Sequence, residues 1–237
     1  MIGQVQSIQT LGTLDGPGVR CVVFLQGCPL RCAYCHNPNT WDPTGGTPMD
    51  SAEILEKVIR CRPYFGKQGG ITVSGGEPLL QPAFTGELFE LCHRENIHTV
   101  LDTSGCILND DVTAVLHRTD LCMLDVKMTD EASYRQHTGG SLEQTMRFLQ
   151  VLQDMGIETW IRHVIVPGVN NTTENIRRLN DLLEPFRCIS KVELLPFRKM
   201  CLEKYEYMHI PFPFADKPEA TQAQIKLLSA KLTKPHD

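Results

Sequence analysis

Val19-Arg-Cys-Val-Val-Phe-Leu-Gln-Gly-Cys-Pro-Leu-Arg-Cys-Ala-Tyr-Cys-His-Asn37 is the stretch on which the reading of this chain turns. Its first part, Val19–Gln26, is a short apolar run rich in β-branched residues, the pattern of a buried strand. Its second part, residues 27–37, is a loop with cysteines at positions 28, 32 and 35, spaced C-x3-C-x2-C. A buried strand that runs straight into a chemistry-bearing loop is the repeating unit of α/β proteins. The same alternation continues along the chain. Further strands are predicted at Gly70–Ser74, His98–Asp102, Leu121–Lys127, Thr159–Val166 and Lys191–Pro196. Helices are predicted near Ser51–Cys61, Phe84–Asn96, Asp110–His117, Ser141–Met155, Thr173–Leu183 and Thr221–Lys231. Asp50 followed by Glu53 forms a capping-box pattern, and Thr172 stands before another apolar-periodic run. Continuous apolar strands joined through helices pair in parallel with both faces covered. Six β-then-α units predict an α/β barrel or a doubly wound sheet, as a single domain over residues 1–237.

Polar residues cluster where these strands end. Ser74-Gly-Gly-Glu-Pro78 follows the second predicted strand, Asp102-Thr-Ser-Gly105 ends the third and Asp125-Val-Lys127 ends the fourth. Arg162 sits in the fifth and Arg198 just past the sixth. Parallel α/β folds bind ligands at the carboxyl ends of their strands. These features and the cysteine loop are therefore expected to face one cavity.

Composition narrows the function. The chain of 237 residues carries 23 Lys plus Arg against 28 Asp plus Glu, a formal charge of −5, which argues against a nucleic-acid partner. The longest apolar run, Cys21–Leu25, is far too short for a membrane span. The start at Met1 lacks the basic and apolar segments of a secretory signal, so a cytoplasmic protein is expected. Ten cysteines are the outlier, and in a reducing compartment a cysteine cluster points to metal rather than disulfides. Cys21, Cys92, Cys122 and Cys188 fall in apolar patterns and read as small core residues.

Two metal readings compete for the trio. A structural zinc needs a fourth ligand in a closed tetrahedron, and His36, adjacent to Cys35, is badly placed to complete it. A four-iron cluster normally takes a thiolate on each iron, so three cysteines leave one iron open to an exogenous ligand such as the amine and carboxylate of an amino acid. The first reading describes a zinc-stabilised, non-catalytic binding module, the second an enzyme.

The cysteine spacing, with Tyr34 directly before the last cysteine, resembles the signature of the radical S-adenosylmethionine (SAM) superfamily. The resemblance extends through Asp15-Gly-Pro-Gly-Val-Arg20, Cys35-His-Asn37, Thr40-Trp-Asp42, Ser74-Gly-Gly-Glu77, Leu101-Asp-Thr-Ser-Gly105, Met123-Leu-Asp-Val-Lys127 and Trp160-Ile-Arg-His-Val-Ile-Val-Pro-Gly168. Together these resemble the glycyl radical enzyme activases of the pyruvate formate-lyase type, from about Val5 to about Pro196. The resemblance implies a partial (β/α)6 barrel, with a C-terminal extension from about residue 199. It implies one [4Fe-4S] cluster held by Cys28, Cys32 and Cys35, and SAM as cosubstrate. SAM contacts are expected from Tyr34, His36, Asn37, Gly75, Gly76, Glu77, Asp125, Val126, Lys127, Arg162 and Arg198. A monovalent cation is expected beside Asp102, Thr103, Met123 and Asp125. Asp15 and Cys201 are expected near the substrate loop. The implied reaction is abstraction of a glycine Cα hydrogen in pyruvate formate-lyase by a 5′-deoxyadenosyl radical, under anaerobic conditions. A flavodoxin or ferredoxin is the implied electron donor, and the enzyme is expected to be a monomer.

Two departures from the family pattern matter. Where Leu-Leu-Pro-Tyr-His is usual, the chain has Leu194-Leu-Pro-Phe-Arg198, and Cys201 replaces a glycine. Arginine donates hydrogen bonds but does not titrate near neutrality, so any role that needs a neutral imidazole is excluded at that position. Both departures fall where partner contacts are expected, which leaves another glycyl radical enzyme as the alternative partner. Related activases carry extra ferredoxin-like clusters between the trio and the Gly-Gly-Glu turn. Only Cys61 lies among the 38 residues between Cys35 and Ser74, too few cysteines for such a cluster.

Overall fold

The computed structural model describes residues 1–236. In chain order the elements are β1 (Ile2–Gly12), β2 (Arg20–Leu25), β3 (Thr47–Asp50), α1 (Ser51–Cys61), β4 (Gly70–Gly75), α2 (Pro82–Arg94), β5 (His98–Thr103), α3 (Asp110–Leu116), β6 (Leu121–Asp125), α4 (Glu131–Thr138), α5 (Leu142–Met155), β7 (Glu158–Ile165), α6 (Thr173–Leu183), β8 (Ile189–Pro196), α7 (Leu202–Tyr207) and α8 (Gln222–Ser229). The first five strands are hydrogen-bonded in the order β3-β1-β2-β4-β5, and β7 is hydrogen-bonded to β8. Each of the six predicted strands forms, and the predicted helices begin and end within about two residues of their expected bounds. Asp50 and Glu53 make both bonds of the capping box, and Thr172 caps α6 by accepting from the Asn175 amide.

Two compact units divide the described chain. The first comprises residues 1–29, 40–103 and 107–123. In it β2 pairs in parallel with β4, and β4 with β5, and Val22, Val23, Leu25, Ile71, Val73, Val100 and Leu101 are fully buried. That is the near-continuous burial expected of strands covered on both faces. Two strands were not expected. β1 pairs antiparallel with β2 and with β3. Gln4, Gln6 and Gln9 interrupt its apolar residues, and of Ile2–Gly12 only Gly3, Val5 and Gly12 are buried, so it offers no apolar run to read. β3 contains Pro48, which suits its position at the edge of the sheet, where a missing N–H is tolerated.

The second unit comprises residues 30–39, 104–106 and 124 onward. Here β7 and β8 pair in parallel, with Arg162 opposite Glu193. Its unexpected helix is α4, which buries only Tyr134 and Thr138 and so has no apolar stripe. Its caps define it instead: the Asp130 side chain accepts from the Ser133 amide, and Gly139 leaves the helix at φ 73°, a conformation that favours glycine.

Arg20, at the start of β2, is fully buried. Its Nε donates to Thr72 Oγ1 at 2.6 Å, one terminal nitrogen donates to the carbonyls of Pro17 and Gln68, and the other to those of Ile71 and His98. Burial pulls its pKa down to about 10, so it stays charged at neutral pH. The motif residue Arg20 thus ties the loop before β2 to the starts of β4 and β5. Arg20→Met removes those donors and leaves the acceptors buried, and is expected to destabilise the protein by about 3 kcal/mol or more in urea unfolding. An unchanged midpoint would show that water replaces the guanidinium at no cost.

Candidate active site

In the first unit, the start of the cysteine loop rests on the Gly-Gly-Glu turn. Gly76 N donates to Leu25 O at 2.9 Å, and Glu77 N donates to Gly27 O at 2.8 Å. A Cβ on Gly76 would lie 2.1 Å from Gly27 O and 3.2 Å from the Cys28 Cβ, and one on Gly75 would lie 2.3 Å from Leu25 N. Both glycines are therefore required by close backbone approach. The Glu77 side chain is buried; its Oε1 accepts from Thr103 Oγ1 at 2.6 Å and from the Leu79 amide at 3.2 Å. Asp102 Oδ2 accepts from Ser74 Oγ at 2.6 Å. Two carboxylates, each with a hydroxyl donor, thus stand at the carboxyl ends of β4 and β5. Met123 lies fully buried within β6, and Asp15 is half-buried in the loop before β2. A cavity of about 490 Å³ between β1, β3 and α1 includes Cys61 in its lining but none of the expected site residues.

In the second unit, Cys32 and Tyr34 of the cysteine loop are buried, Cys35 and Asn37 half-buried, and Arg31 and His36 exposed. Cys32 is buried, and desolvation pushes its thiol up to about 11, partly countered by Lys127. The Tyr34 hydroxyl donates to Lys127 O at 3.2 Å, and its ring stacks on Phe214 with centroids 6.1 Å apart. His36 Nε2 donates to Arg198 O at 2.9 Å, which fixes the proton on that nitrogen, and burial lowers the ring pKa. Asp125 takes Lys127 Nζ at 2.8 Å and Arg162 Nε at 3.5 Å, with the three side chains 15–21% exposed. Burial alone would raise the Asp125 carboxyl, but Lys127 and then Arg162 outweigh it and hold it below its ordinary value. Lys127 is in turn held well above its own, its desolvation overcome first by Asp125.

Three more of the expected contact residues have these surroundings. The Val126 side chain is fully buried, its N–H donates to Arg162 O and its carbonyl accepts from His163, so it is a core residue. The Arg198 guanidinium donates to Ala220 O at 2.8 Å and lies 3.5 Å from Glu219, turned to the C-terminal segment. Cys201 is 1% exposed, so its thiol presents no surface to a partner loop.

Other residues of the second unit were missed. His163, fully buried, donates from Nδ1 to Val126 O, while its Nε2 takes Asn175 Nδ2 at 3.0 Å. Asn175 Oδ1 accepts from Thr129 Oγ1 at 2.8 Å, and Asn170 bridges Val164 O and Val166 N. This network fixes the backbone between Asp125 and Lys127. An ionisable residue inside the apolar run Ile161–Val166 was the available signal. Lys204 and Tyr205 of α7 reach the cysteine loop and left no such signal in the sequence.

A strand-borne cysteine loop, a glycine turn packed beneath its first cysteine and half-buried charges at the end of β6 define the class. Residues 22–179 match the model of the radical SAM superfamily, and the chain belongs to that superfamily. Its structure is similar to that of a radical SAM methyltransferase from Sphaerobacter thermophilus, with a TM-score of 0.65 and 16% identity over 99% of this chain and 76% of that one, a likeness of fold alone. The chain is 42% identical to the pyruvate formate-lyase-activating enzyme of Clostridium pasteurianum over 91% of both chains. It is 36% identical to the pyruvate formate-lyase 1-activating enzyme of Escherichia coli K12 over 88% of this chain and 86% of that one. Within the superfamily, it belongs to the family of pyruvate formate-lyase-activating enzymes.

That family implies a [4Fe-4S] cluster and SAM, and the donor set suits the cluster: Cys28, Cys32 and Cys35 are thiols outside any disulfide, on one short loop. Among the described residues no group of three or more His, Cys, Asp or Glu side chains is arranged to hold a single metal ion. A cluster offers its irons at separate corners, so its thiolates surround a larger body than one ion.

The His163 network has a pH signature. Burial lowers the ring pKa below its ordinary 6.5, against the Val126 carbonyl and Asp125. The unfolded chain then binds more protons than the native state just below pH 6.5, so this stability is full above that pH and is lost as pH falls. His163→Leu is expected to cost about 2 kcal/mol near pH 7.5, and the gap to wild type should shrink toward pH 5.5 in urea unfolding. A gap independent of pH would refute the buried neutral imidazole.

Proposed function

We propose that this protein activates pyruvate formate-lyase by installing a glycyl radical. The observation that carries the reading is the C-x3-C-x2-C loop in a chain 42% identical to a pyruvate formate-lyase-activating enzyme. When bound, a reduced [4Fe-4S] cluster supplies the electron that splits the SAM sulfonium into methionine and a 5′-deoxyadenosyl radical, which takes the glycine Cα hydrogen.

The residues divide the work. Cys28, Cys32 and Cys35 ligate the cluster, and the nearby Lys127 charge offsets the burial of the Cys32 thiolate. Tyr34, His36 and Asn37 bind SAM beside the loop. The backbone at Gly75, Gly76 and Glu77 meets its methionine end. Asp125, Lys127 and Arg162 form a charged group whose arginine fork suits a carboxylate. Asp102 and Thr103 are the first unit's partners for a monovalent cation, since a buried carboxylate with a hydroxyl neighbour is a hard oxygen set. Asp15 is assigned to the partner's glycine loop. A flavodoxin or ferredoxin supplies the electron, and ten thiols suit a reducing compartment. Among the described residues no helix is long and apolar enough to cross a membrane.

The test is anaerobic. Reconstituted protein is expected to hold about four irons with matching sulfide. After reduction and addition of SAM it should yield 5′-deoxyadenosine and, on pyruvate formate-lyase, the electron paramagnetic resonance doublet of a glycyl radical. Cys32→Ala should abolish both, because two thiolates do not retain the cluster. Deoxyadenosine without a radical on that partner would overturn the partner assignment and keep the chemistry, and zinc without sulfide would overturn both.

A further inference from the structure

Two side chains of α7 end on the cysteine loop, outside the residues 22–179 that define the superfamily. Lys204 Nζ donates to His36 O at 3.0 Å and to Asn37 Oδ1 at 2.7 Å. The Tyr205 hydroxyl donates to Cys35 O at 3.2 Å. One helical turn thus holds three consecutive residues, beginning with the third cysteine. Tyr205 is itself fixed: it is 2% exposed, and its ring lies 4.8 Å from that of Phe212. Phe214, two residues further, stacks on Tyr34 of the same loop. An ammonium shared between a carbonyl and an amide oxygen makes charge-assisted bonds, the stronger kind, and adds them to the His36–Arg198 bond already on this segment.

We propose that Lys204 and Tyr205 are positioning residues of the active site, holding the Cys35–Asn37 backbone so that the third thiolate meets the cluster and the residues after it meet SAM. The inference rests on the reading of this loop as the cofactor loop. It makes the C-terminal segment part of the catalytic machinery. Neither residue touches a reacting atom; both act through Cys35, His36 and Asn37.

The test uses the anaerobically reconstituted holoenzyme and the variants Lys204→Met, Lys204→Arg and Tyr205→Phe. In Lys204→Met, hydrogen exchange of the peptide spanning residues 33–37 is expected to rise about tenfold, with α5 unchanged, since a hydrogen bond to a charged group is lost. The KM for SAM should rise by a similar factor while iron content stays at the wild-type level. Lys204→Arg, which keeps a charged donor, should recover most of both. Tyr205→Phe, which removes one oxygen, should give a smaller rise of about threefold at the same peptide. Unchanged exchange at 33–37 in both Lys204→Met and Tyr205→Phe, an unchanged KM, or a uniform rise along the chain would overturn the proposal. Wild-type protein that takes up no iron and cleaves no SAM would instead bring down the cofactor reading, and this proposal with it.

Discussion

The contact between the Gly75–Gly76 backbone and the end of β2 is the constraint on which the site depends. β2 and β4 run parallel through Leu25 opposite Gly75, and immediately beyond that pair the chain must both leave the sheet and begin the cysteine loop. Any side chain at Gly76 would meet Gly27 O at 2.1 Å. With no Cβ in the way, Glu77 N reaches Gly27 O and pins the residue before Cys28. The first cysteine is therefore placed by backbone hydrogen bonds to a strand end, the most rigid support an α/β fold provides. The same carboxyl ends bring Glu77 and Asp102 to their hydroxyl donors, so loop and acidic groups share one scaffold.

The second unit solves a different problem: keeping charge in a mostly buried place. Asp125, Lys127 and Arg162 each lose hydration there, and one carboxylate between two cations recovers much of it. Such a group is specific only if its backbone cannot shift. His163 supplies that by bonding the carbonyl of Val126, the residue between Asp125 and Lys127, and is itself set by Asn175. His163, Asn175, Thr129 and Asn170 are each hydrogen-bonded, the condition under which a buried network rigidifies rather than destabilises.

Much of this was legible in the sequence, for reasons specific to each part. The parallel strands were, because burial on both faces writes an apolar run such as Cys21–Leu25. The cysteine trio was, because thiols gathered on one short loop are necessarily close in sequence. β1 was not, because most of its residues are at least partly exposed, so it needs no apolar run. α4 was not, because capping rather than an apolar face defines it. The Gly-Gly pair was singled out as an expected SAM contact, and the structure adds a second constraint on it, the close approach of Gly27 and Leu25. Lys204 and Tyr205 lie about 170 residues from the carbonyls they bind, and a lone lysine and tyrosine in a polar helix carry no pattern that reports such a tertiary pairing.

The two departures from the family pattern acquire a local explanation on the same footing. Arg198 offers its carbonyl to His36 and its guanidinium to Ala220 O, so one residue joins the cysteine loop to the chain before α8. Lys199 continues the clasp, its amide donating to Glu219 and its ammonium to Ala215 O. A histidine at position 198 is too short to carry a donor to Ala220 O and Glu219 as the Arg198 terminal nitrogen does, and a glycine at position 201 would leave unfilled the volume that the buried Cys201 thiol occupies next to Tyr205. Both substitutions thus serve the segment that carries Lys204 and Tyr205. They are accounted for by internal packing.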